Sequence, residues 1–116
     1  MNEMDLYSQR REKEAMLERA LTEAKQRGID LTKAEKEYQI AKNTEILLLR
    51  AEGTPVTEIQ ERIRGVEIVA EKRQARDIAQ VLYDSAKDAI NVYKIEVRNL
   101  EADLEREWDN VERVHQ

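Results

Sequence analysis

The sequence predicts an all-α fold: a long antiparallel helical hairpin, coiled-coil-like, with a short capped helix at its tip, assembled into an oligomeric bundle. Three observations predict it. Charged residues make up 39% of the 116-residue chain and hydrophobic residues 41%, while Phe is absent and Gly and Pro number three and one; such a mixture, poor in turn formers, suits long helices. The apolar residues recur at steps of three and four over two long stretches. The only proline, Pro55, and two of the glycines, Gly53 and Gly65, gather between those stretches, in LLLRAEGTPVTEIQERIRG at residues 47–65. Disorder is the rival outcome for so charged a chain, and the periodic apolar residues and interspersed charge signs oppose it.

The first long helix is expected from about Glu3 to Ala51, on a stripe of Leu17, Ala20, Leu21, Ala24, Gly28, Leu31, Ala34, Tyr38, Ala41 and Leu48. Small residues dominate the stripe, so a partner helix can approach closely. Gly28 is its weak point. Gly28-Ile29 could close one helix, and Thr32 with Glu35 could open another as a capping box; the stripe keeps its phase through the glycine, which favours one continuous helix. Gly53 then supplies a left-handed residue, Thr54 a cap and Pro55 a first helical position. A tip helix, about 55–64, follows, with Val56, Ile59 and Ile63 on one face as a lid over the bundle end, and Gly65 ends it.

The second long helix is expected over about 66–114. Its main stripe is Ala75, Ala79, Leu82, Ala86, Ala89, Tyr93, Val97, Leu100, Leu104, Trp108 and Val111. A second band, Ile78, Val81, Ile90, Val92 and Ile95, widens the apolar face and marks the candidate self-association surface. Each long helix would span about 70 Å at ~1.5 Å per residue. Folded at the tip, residues whose numbers add to roughly 120 should face one another in an antiparallel pair. That register sets Gly28 opposite Tyr93, and Arg10, Arg11 and Lys13 beside Glu105, Glu107, Asp109 and Glu112. The chain reads as a single domain, 1–116, with a thin core. Covering the second band with another copy of the chain completes it, most simply as a dimer.

Catalytic chemistry finds little to work with. The chain has no Cys, hence no disulfide or thiolate metal site. Its one histidine, His115, reads as a tail residue. The acids of EADLEREWDNVE fall on several helix faces beside basic residues, and no Glu-x-x-His bundle motif is present. Glycine-rich phosphate loops, Ser-centred nucleophile motifs and dinucleotide fingerprints are missing too. The expectation is a protein that is not an enzyme and uses no cofactor. MNEMDLYSQRREKE has no apolar leader core and no window approaches the ~18 apolar residues of a membrane span, so a cytoplasmic location and no membrane partner are expected. The net charge of −5 opposes indiscriminate DNA coating.

The tip carries the remaining candidate site. Arg50, Arg62, Arg64, Lys72, Arg73 and Arg76 gather there, interleaved with Glu52, Glu58, Glu61, Glu67 and Glu71. A capped short helix with a basic flank could meet DNA as a helix-turn-helix corner does, but the local charge nearly cancels and no aromatic is present to stack on bases. Glu58, Arg62, Arg64, Arg73 and Arg76 are therefore candidate contacts for a protein partner, ahead of nucleic acid.

A hairpin of this length invites comparison with small WXG-type secreted proteins, but its turn, GTPVTEIQERIRG, lacks Trp-x-Gly, and Tyr93 is followed four residues later by Val97 instead of an acid. The segments LLLRAEGTPVTEI, EKRQARDIAQVLYDSAKDAI and LEADLEREW, which span most of the chain, resemble small helical proteins of phages and prophages in Gram-positive bacteria. That resemblance implies a setting, the gene neighbourhood of single-strand annealing and recombination in the host cytoplasm, and no catalytic residue. The expected function is a self-associating interaction protein, accessory to phage DNA replication or recombination. The alternatives are a direct nucleic-acid binder using the basic tip and a virion assembly or scaffolding factor.

Overall fold

The computed structural model describes residues 3–115, which form three helices and no strand: α1, Glu3–Ala51; α2, Val56–Gly65; and α3, Glu67–His115. α1 passes through Gly28 without a break. The Thr32 hydroxyl donates back to the Ile29 carbonyl, at 2.7 Å, as those of Thr22 and Thr44 do to Glu18 and Ile40. A threonine bonded backwards in this way continues a helix and does not cap a new one. α3 includes the backbone of His115, whose side chain lies outside the described residues.

The link between α1 and α2 is a Schellman turn. Gly53 sits at φ +83°, its N–H donates to the Arg50 carbonyl, and the Thr54 N–H donates to that of Leu49, each at 3.0 Å. Both bonds satisfy carbonyls that the end of α1 would otherwise leave unpaired. Thr54 gives its backbone N–H to this closure and stands one residue before the N-cap position of α2, so it does not cap that helix as the sequence suggested. Pro55 takes that position with an extended ψ of 138°, and the helix starts one residue later, at Val56. At the other end, Val66 turns extended and donates to the Ile63 carbonyl, while its own carbonyl accepts from Ala70 in the first turn of α3.

The hairpin packs as two compact units. The tip unit comprises residues 25–84. Its core is Tyr38 from α1, Ile59 and Ile63 from α2 and Val69 from α3, with Ala41, Ile46, Leu49 and Val66 against them. Val56, expected beside Ile59 and Ile63, is exposed instead: it opens α2 one turn before the inward face begins. Across α1 and α3, Lys72 pairs with Glu37 at 3.2 Å and Arg76 with Glu35 at 3.6 Å.

The second unit joins residues 1–24 to 85–116, described from residue 3 to residue 115. Leu6, Ala20, Ala24, Ala86 and Leu104 are its buried residues. Lys13 pairs with Glu96 at 2.8 Å and Arg10 with Glu101 at 3.1 Å. The bond to Glu96 holds the Lys13 ammonium pKa above the ordinary lysine value, against the opposing pull of partial burial.

These pairs correct the expected register. The residue numbers in each add to about 110, not 120. Gly28 accordingly faces Tyr83, and Tyr93 lies instead beside Met16, Ala20 and Ala89. Arg10 and Lys13 meet Glu101 and Glu96, about ten residues, or almost three turns, short of the positions expected. The reason is α2: it packs beside Ile46 and Leu49 in the last turns of α1, so α3 begins about two turns back along α1.

The seam residues are corrected as well. On α3, Val69, Arg76, Ala79, Tyr83, Ala86, Ile90, Tyr93, Val97, Leu100 and Leu104 are all buried or half-buried. With Lys72 they step alternately by three and four, the heptad pattern of a coiled coil. Ala75, Leu82 and Trp108, assigned to the stripe from sequence, lie to one side and are exposed, as are Leu21 and Leu48 on α1; Val111 keeps the phase of the seam, seven residues beyond Leu104, but is exposed too.

Candidate interaction surfaces

At the tip, α2 turns Ile59 and Ile63 inward and therefore presents Glu58 and Arg62 outward, one helical turn apart. Their side chains lie 3.9 Å apart, and both remain more than half exposed. Arg64 is exposed nearby. The acid sits in the first turn of α2 and the two arginines in its last, matching the helix dipole.

Arg73 and Arg76 do not share that face. Arg73 reaches from α3 to the Arg64 carbonyl at 3.4 Å and so helps to close the end of α2. Arg76 is an internal strut. Its guanidinium donates to Asp77 at 3.0 Å, approaches Glu35, and lies 4.4 Å from the ring centre of Tyr38. The Asp77 hydrogen bond, with the charges of Asp77 and Glu35, holds Arg76 more firmly protonated against burial. Of the five tip residues singled out by sequence, Glu58, Arg62 and Arg64 are thus available to a partner, and Arg73 and Arg76 serve the fold. With Lys72 on Glu37 and Arg62 beside Glu58, much of the tip's positive charge is also answered locally.

The second surface lies on α3, on the side away from its seam. Ile78, Val81, Val92 and Ile95 are 53%, 64%, 52% and 54% exposed, high values for large aliphatic side chains. In the tip unit, Ile78, Val81 and Leu82 border an open groove with Ala70, Arg73, Gln74 and Asp77. Ile90, grouped with this band from sequence, does not belong to it. It lies about 160° around the helix from Val92, in the seam, where it is half-buried.

The exposed band has polar members that the sequence reading passed over. Stepping by four and three from Gln74 gives Ile78, Val81, Ser85, Asp88, Val92, Ile95 and Asn99, all exposed. The heptad spacing was the available signal; a search confined to apolar residues skips the four polar positions. A third, open groove, in the other unit, brings the exposed Tyr7 and Trp108 together with Arg10, Glu101 and Leu104. Among the described residues, no cluster of three His, Asp or Glu side chains could hold a metal ion, and no helix is long and apolar enough to cross a membrane. Comparison with protein-family models, with curated proteins and with solved structures finds no match to this chain.

Proposed function

We propose that this chain is a non-enzymatic, self-associating helical interaction protein. One observation carries the reading: α3 fills one face against α1 and leaves four large aliphatic residues, Ile78, Val81, Val92 and Ile95, more than half exposed on another. Isolated exposed apolar residues are ordinary on a protein surface, whereas residues repeating in register along one helix form a strip that another helix can cover. The tip supplies a second, polar contact surface, Glu58, Arg62 and Arg64, for a protein partner. Local pairing of its cations supports a protein over nucleic acid. The resemblance to phage helical proteins gives the setting, an accessory role in DNA replication or recombination in the host cytoplasm.

The test is affinity capture from phage-infected host cells, at low and high salt. Wild type should retain a specific protein, and the variant Glu58→Lys/Arg62→Glu/Arg64→Glu should lose it while keeping its helicity and mass. Retention of DNA that declines steeply with salt, and no retained protein, would replace this reading with direct nucleic-acid binding.

A further inference from the structure

The two halves of the exposed α3 stripe are mirror images of one another. Gln74, Ile78 and Val81 lie in the tip unit, and Val92, Ile95 and Asn99 in the other. Read in opposite directions, amide matches amide, isoleucine matches isoleucine and valine matches valine, at the same spacing. Ser85 and Asp88 fill the two places between. We infer that this stripe is a two-fold antiparallel interface with a second copy of the chain, centred between Ala86 and Lys87. This inference rests on the self-association proposed above and specifies its geometry.

In antiparallel coiled coils an a position of one helix faces a d position of the other. The heptad places Ile78, Ser85, Val92 and Asn99 at one such position and Gln74, Val81, Asp88 and Ile95 at the other. The two-fold then forms layers of Ile78 with Ile95 of the second copy, Val81 with Val92, Ser85 with Asp88 and Gln74 with Asn99, each occurring twice. Every layer pairs like with like in polarity. The Ser85 hydroxyl can donate to the opposing Asp88 carboxylate, and the two amides can bond each other. Polar layers of this kind lower stability but fix orientation and register.

The flanks agree. Asp77 and Arg98 border the same layer from opposite chains, so the antiparallel arrangement brings opposite charges together twice. Leu82, also exposed, falls on the other flank opposite Ala89. A parallel pairing would instead stack Asp88 on Asp88 of the second copy, with like charges in contact, and would set Asp77 beside Leu82 in place of Arg98. The chemistry of the stripe is thus complementary to itself in one direction only, which identifies its occupant as a second copy.

The absence of cysteine makes a direct test available. Chains carrying Val81→Cys or Val92→Cys alone, both at exposed sites, are mixed and joined with a short bismaleimide. The inference expects predominantly mixed 81–92 products, with few 81–81 or 92–92 products. In parallel, Arg98→Asp should weaken the dimer at least tenfold by setting an acid against Asp77 of the second copy, and Asp77→Asn/Arg98→Asp, which leaves Arg76 an acceptor, should restore most of it. A dimeric mass with 81–81 and 92–92 products, or no rescue by the double variant, would overturn the antiparallel geometry and leave self-association standing. A monomeric mass at all concentrations would overturn both.

Discussion

At Gly28 a β-carbon would sit 3.4 Å from Cε1 of Tyr83, an ordinary van der Waals distance. One methyl therefore fits, and it removes the backbone freedom that glycine brings to a helix interior. Gly28→Ala should raise stability by up to ~1 kcal/mol. Gly28→Leu has no room against the ring and should cost about 1–3 kcal/mol. Chemical denaturation followed by circular dichroism separates the two, and an alanine variant that is strongly destabilised would contradict the straight helix. The need for a small residue opposite a tyrosine was legible in the sequence; which tyrosine was not. Tyr83 and Tyr93 are almost three turns apart, and only the register separates them. The same holds for Arg76: the sequence shows a cation near the tip with Asp77 beside it, while its attachment to Tyr38 and Glu35 depends on packing.

α2 has ten residues, too few to hold a helix by itself in water. It persists because Ile59 and Ile63, 3% and 2% exposed, complete a core with Tyr38 and Val69. Ile63→Ala should accordingly cost about 2–5 kcal/mol, the range for a truncated buried aliphatic residue. Hydrogen exchange should show that loss concentrated in α2 and the adjoining turns. Unchanged protection there would mean that α2 contributes no core. The bend was readable in advance because its chemistry is local: Gly53 can take the positive φ that other residues avoid, and Pro55 has its φ fixed by its ring, although the capping role expected of Thr54 fell to Pro55. The position of α2 beside the last turns of α1 was not, because it arises from contacts between residues distant in sequence. That displacement moved the whole register, and with it the expected partners of Arg10 and Lys13.

For the molecule as a whole, the central feature is a helix with two apolar faces. α3 fills one against α1 and leaves the other to solvent in a single chain. Most of that second face was visible as an excess of aliphatic residues beyond one stripe. Ile90 was misassigned because a list of apolar positions carries no phase, whereas a heptad does. The account stands or falls on whether a second copy covers this face. Sedimentation equilibrium of the wild-type chain, beside Ile78→Lys/Val81→Lys/Val92→Lys/Ile95→Lys, tests that claim most directly. Wild type should sediment at twice the chain's 13.6 kDa or more. The four-lysine variant should sediment as a monomer with its helicity preserved, because these positions are exposed in the isolated hairpin and unpaired charge is costly at a buried interface. A wild-type chain that remains monomeric at high concentration, or a lysine variant that associates as strongly as wild type, would contradict the account.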